Sequence, residues 1–61
     1  MTYERELASG YRGHAKQLRI IASEDREPKT AAMLRTVAAS YDQMADTLDR
    51  IDQTNAAIRK P

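Results

Sequence analysis

There is no cysteine in this sequence, and histidine occurs once, at position 14. A disulfide framework is therefore excluded, as are zinc sites built on thiolates. Phenylalanine and tryptophan are absent too, so Tyr3, Tyr11 and Tyr41 carry the large aromatic surface. Two glycines and two prolines leave little turn chemistry, no Asn-Gly or Asp-Gly pair occurs, and no stretch alternates apolar with polar residues. Nothing here predicts a β-strand. No apolar run approaches the roughly 18 residues of a membrane span. The start, Met1-Thr2-Tyr3-Glu4-Arg5-Glu6, is unlike a basic-then-apolar signal peptide. With a net charge of +1, the chain has neither an acidic tail nor a strongly basic surface. These absences lead us to expect a soluble, cytoplasmic protein with no membrane contact.

What is present suits amphipathic helices: 31% charged and 41% apolar residues in a chain of 61. A domain this small is usually marginal without a supplement to its core, and with disulfides and metal set aside the remaining supplement is oligomerisation. The strongest pattern supports that. Leu34, Val37, Tyr41, Met44, Leu48 and Ile51 recur in three-four spacing, and Ile58 rejoins the register after Asn55. Such a heptad seam buries against other helices.

The chain divides once, at Glu24-Asp25-Arg26-Glu27-Pro28. Pro28 disfavours helical angles at Glu27 but is well placed at the first position of a new helix. Helix one is expected from about residue 3 to 25, the turn at about 25–27, and helix two from about 28 to 59. Thr2 is a candidate cap for the first helix, and Arg59 and Lys60 suit the C-terminal dipole of the second. A connection this short makes the helices antiparallel neighbours. The expected fold class is thus all-α, an antiparallel two-helix hairpin that dimerises into a four-helix bundle.

Helix one offers Leu7, Tyr11, Leu18 and Ile21 as its apolar stripe, with Ala8, Ala15 and Ala22 one position over. Antiparallel pairing places Tyr11 near Tyr41 or Val37 and Leu7 near Leu48, leaving Ile51 and Ile58 at or beyond the end of helix one. A second copy, or another helical protein, would cover them. Gly10 and Gly13 fall inside helix one, where each costs about 1 kcal/mol relative to alanine. They mark either a weakened stretch or a close contact with a partner.

Arg5, Arg12, Arg19 and Arg26 recur at heptad spacing, with Lys16 beside them. Arg5, Arg12, Lys16 and Arg19 form the one candidate edge for nucleic acid, and a dimer carrying two such edges would be similar in size and architecture to Rop, the plasmid copy-number protein. Asp42, Asp46, Asp49 and Asp52 oppose that reading, because they can pair with the arginines across the hairpin or the dimer. No catalytic constellation is found: there is no nucleophile-base arrangement around His14, and no Glu-x-x-His pattern for a bundle metal site. No cofactor is implied. His14 reads as a bundle residue at the edge of the seam or as a pH-sensitive element of an interface.

The residues Tyr11-Arg12-Gly13-His14-Ala15-Lys16-Gln17-Leu18-Arg19-Ile20-Ile21-Ala22, then Glu27-Pro28, Leu34, Ala38 and Tyr41-Asp42-Gln43-Met44-Ala45, resemble a group of short helical proteins of alphaproteobacteria, particularly rhizobial ones. That pattern has arginine where this chain has His14, and Gly13 also departs from it. The resemblance implies a cytoplasmic bacterial helical hairpin and supplies no site residues. The functional expectation is a non-enzymatic interaction or adaptor protein that self-associates, with a nucleic-acid-binding dimer or a regulatory subunit completing a partner's bundle as the alternatives.

Overall fold

The computed structural model describes residues 3–59, and of residue 59 the backbone only. Thr2 and Lys60, together with the side chain of Arg59, lie outside the described residues. Two helices account for nearly all of the rest: α1 spans Tyr3–Glu24 and α2 spans Pro28–Arg59. Among the described residues there is no strand. They pack against each other lengthwise and run antiparallel, since Arg19 meets Asp42 near the turn while Arg5 meets Asp52 near the open end.

The reversal takes three residues, and Asp25 and Glu27 bond its two ends. The Asp25 N–H donates to the carbonyl of Ala22 at 3.3 Å, and the Asp25 carboxylate then accepts the N–H of Glu27 at 2.8 Å. Glu27 acts as the N-cap of α2. Its carbonyl accepts the Ala31 N–H at 3.0 Å, and its carboxylate accepts the Lys29 N–H at 3.3 Å. Pro28 has no N–H to leave unsatisfied, which is why proline is tolerated at this first helical position.

Alanine fills the space between the helices. Ala8, Ala15 and Ala22 of α1 and Ala31, Ala38 and Ala45 of α2 are all buried, and on each helix they are spaced in sevens. Asp52 takes the next position of the α2 row and is buried as well. No large side chain among the described residues is fully buried. This differs from the sequence-based expectation that the large seam residues would meet across the hairpin. A methyl group is the shortest side chain that still excludes water, so two rows of them let the backbones approach and push larger residues to the flanks. Each buried methyl contributes about 0.8 kcal/mol, which makes the interface close but thin.

The flanks are chemically opposite. On one side, Arg5, Arg12 and Arg19 stand three residues before Ala8, Ala15 and Ala22, and Asp42 and Asp49 stand three before Ala45 and Asp52, while Pro28 and Arg35 hold that place before Ala31 and Ala38. Residues three after and one before are apolar on the other side except at His14, Asp25, Thr30 and Asn55. The same motif appears in both helices with its charge inverted, Tyr11-Arg12-x-x-Ala15-x-x-Leu18-Arg19-x-Ile21 against Tyr41-Asp42-x-x-Ala45-x-x-Leu48-Asp49-x-Ile51. An antiparallel pairing of two such helices puts arginine against aspartate on one face and apolar against apolar on the other.

Gly10 and Gly13 are exposed, and neither has a positive φ. A Cβ added at either would meet no atom within 4 Å. Inside the hairpin they are therefore points of weakness with no contact to protect. Gly10→Ala and Gly13→Ala should each raise stability by about 1 kcal/mol, shifting the thermal midpoint upward by roughly 4–8 °C apiece. A fall in midpoint, read by circular dichroism, would contradict this and point to a contact at the outer face of α1.

Candidate association face

The charged edge is closed on itself. Arg12 Nη2 donates to Asp49 Oδ2 at 2.6 Å and to Asp46 Oδ1 at 3.0 Å, and Arg19 Nη2 donates to Asp42 Oδ2 at 2.6 Å. Arg5 Nη2 lies 3.3 Å from Asp52 Oδ2. The hydrogen bond to Asp49, then that to Asp46, holds the Arg12 guanidinium above its ordinary pKa, so this cation keeps its charge. Asp52 contributes the one carboxylate that enters the alanine row. It sits near the first turn of α1, whose peptide dipoles favour an anion, and with Arg5 it marks a register that a pure alanine row would leave open.

These contacts bear on the arginine edge proposed for nucleic acid. Arg5, Arg12 and Arg19 do line one edge, but each already faces an aspartate, and phosphate would have to displace carboxylate. Lys16 is exposed beyond them. Exposed pairs are individually weak and screened by salt, so their role is to choose a partner helix. Arg12→Glu should destabilise the hairpin at low ionic strength by placing a third carboxylate beside Asp46 and Asp49. The loss should shrink in high salt and be largely reversed by adding Asp49→Arg. Equal melting of wild type and Arg12→Glu at low salt would show the edge to be inert.

On the opposite side the apolar residues form a continuous face. Leu7, Tyr11, Leu18, Leu34, Tyr41 and Leu48 flank the alanine rows and are half-buried. Farther out, Ile21, Val37, Met44, Ile51 and Ile58 are exposed, Val37, Met44 and Ile51 each by more than 40% and Ile58 by 75%. Leu7, Tyr11, Met44 and Leu48 line an open groove of roughly 500 Å³ bordered by Ser40, Gln43 and Thr47. The hydroxyls on this border are already bonded: Ser40 donates to the Thr36 carbonyl at 3.2 Å and Thr47 to the Gln43 carbonyl at 3.0 Å. Covering them would strand no donor.

Three rings occupy the middle of the face. Tyr41 of α2 stacks on Tyr11 with centroids 5.6 Å apart and 28° between planes, and on His14 with 5.6 Å and 30°. Sequence spacing placed Tyr11 near Tyr41 or Val37, and the ring contact is with Tyr41; His14, read there as a residue at the seam edge, is exposed and stacks on the same ring. The face thus collects all the seam residues from Leu7 to Ile58 on one side of the hairpin, but as a surface. Missing from the sequence reading were Ala31, Ala38 and Ala45; the signal that could have found them is the seven-residue spacing they share with Ala8, Ala15 and Ala22.

Among the described residues no group of His, Asp or Glu side chains is arranged to hold a metal ion, and no helix is long and apolar enough to cross a membrane. No protein-family model, curated protein or solved structure matches this chain.

Proposed function

We propose that this chain is a small helical interaction protein, without enzymatic activity, that self-associates by packing the apolar faces of two hairpins into a four-helix bundle. The observation that carries the reading is the surface the hairpin leaves uncovered. Its accessible area is 4893 Å², whereas a compact monomer of 6.9 kDa exposes roughly 4,000 Å². The excess, on the order of 900 Å², is close to the roughly 800 Å² that each partner contributes to a stable interface. Shape agrees with area. The molecule measures 54 × 15 × 10 Å with a radius of gyration of 14.8 Å, against about 10.5 Å for a compact domain of this length.

A second copy suits this surface because the long middle of the face carries no charge. A neutral apolar face is complementary to itself, and the repeated motif gives both helices the same profile toward a partner. In a bundle of two copies, the half-buried leucines and tyrosines become the interior that a two-helix layer lacks. The resemblance to short alphaproteobacterial helical proteins belongs to this proposal and rests on the Tyr11–Ala22 and Tyr41–Ala45 segments.

Sedimentation of the full chain across a concentration series tests the reading. We expect a species of twice the chain mass at micromolar concentration, dissociating on dilution with loss of helicity. A helical monomer at all concentrations would reject self-association, and a chain that is dimeric only with a second, different polypeptide would convert the proposal into a subunit role.

A further inference from the structure

The association face contains one chemical anomaly. In the row immediately preceding the buried positions, Leu7 and Ile21 on α1 and Val37, Met44 and Ile51 on α2 are apolar; the exceptions are Thr30, beside the turn, and His14, in the middle of the face. The histidine lies midway between Leu7 and Ile21, level with Tyr41. In a dimer built on this face, His14 of each copy would be covered together with the apolar residues around it.

We propose that His14 makes self-association depend on pH, with the neutral imidazole favouring the dimer and its protonated form opposing it; this rests on the self-association proposed above. Burial disfavours a charged imidazolium, and a dimer would bury one from each copy. No carboxylate is placed to compensate. On α1, Tyr11 is the titratable neighbour on the same face, while Arg12 and Lys16 project toward the other side. On α2, Tyr41 stacks on the ring, and Asp42 is engaged by Arg19 at 2.6 Å on the opposite edge. Glu4 and Asp25, the nearest α1 carboxylates on this side, are roughly 15 Å away along the helix. One opposing effect exists: tyrosine faces attract cations. Here the imidazole meets one tyrosine ring, Tyr41, which also stacks on Tyr11, and one ring does not make a cage.

The histidine is half of a switch whose other half is the dimer interface, and ordinary imidazole titration lies between about pH 5 and pH 8. Dimer dissociation of the full chain should be measured at those two values by sedimentation, for wild type and for His14→Met, with helicity followed in parallel. Wild type should dissociate roughly ten- to a hundredfold more readily at the lower pH, because the dimer would have to cover two imidazolium charges. His14→Met should stay dimeric and change much less. Because acid acts on the Arg–Asp edge in both proteins alike, the difference between them is the readout. A wild-type dimer whose pH response equals that of His14→Met, or one that tightens in acid, overturns the switch alone. Monomers of both proteins at both pH values overturn the switch and the self-association beneath it.

Discussion

Ala38→Leu is expected to lower the stability of the hairpin by about 1–3 kcal/mol, enough to leave a small domain of this kind largely unfolded. Ala38 is fully buried between the helices, at a row where the shortest side chains set the separation. A leucine there must either take a strained rotamer or force the helices apart along neighbouring turns. Separation would stretch the 2.6 Å contacts from Arg12 to Asp49 and from Arg19 to Asp42, so packing and ion pairing fail together. Ala39→Leu provides the contrast, since Ala39 is one residue away and exposed. Urea melts of the two variants should differ widely, with Ala39→Leu near wild type. Equal midpoints would show that the alanine rows do not set the helix spacing.

The second large effect concerns the face. Leu48→Asp is expected to abolish the dimer and most helicity together, because Leu48 is half-buried within the hairpin and forms part of the surface assigned to the second copy. Full burial of a leucine contributes about 1.5–3 kcal/mol, and a carboxylate in its place would need desolvation without a partner. Met44→Asp and Ile51→Asp, at positions exposed in the single hairpin, should remove the dimer as effectively while disturbing the hairpin's own packing less. Sedimentation and circular dichroism on the same samples separate the two cases. A folded, helical monomer of Leu48→Asp at micromolar concentration would contradict the coupling of folding to association.

The parts of this structure that were legible in the sequence are those fixed by strong local rules. Pro28 and Glu27 locate the turn because proline excludes most backbone alternatives and the preceding residue must cap. The three-four spacing from Leu34 to Ile51 correctly assigned these residues to one side of a helix, and the opposed charges of Arg12, Arg19, Asp42 and Asp49 allowed pairing across the hairpin. The alanine rows were harder to read. Alanine is the best helix former wherever it occurs, so Ala31, Ala38 and Ala45, lying beside Ala32 and Ala39, are marked only by their seven-residue spacing. Size then misleads: leucine and tyrosine gain most from burial, yet within one hairpin they lie at the margin, and only close approach through the smaller residue decides that.

The arginine–aspartate code also has a consequence for how the chain keeps its own helices together. Nothing in the code distinguishes α2 of the same molecule from α2 of another, because the partner sequences are identical. The discrimination comes from Asp25–Glu27. A tether of three residues holds the matching helix at an effective concentration in the millimolar range or above, far beyond any that free copies reach. Lengthen or cut that tether, and the same contacts would be satisfied equally well by a neighbour, turning a self-contained hairpin into a set of exchangeable halves.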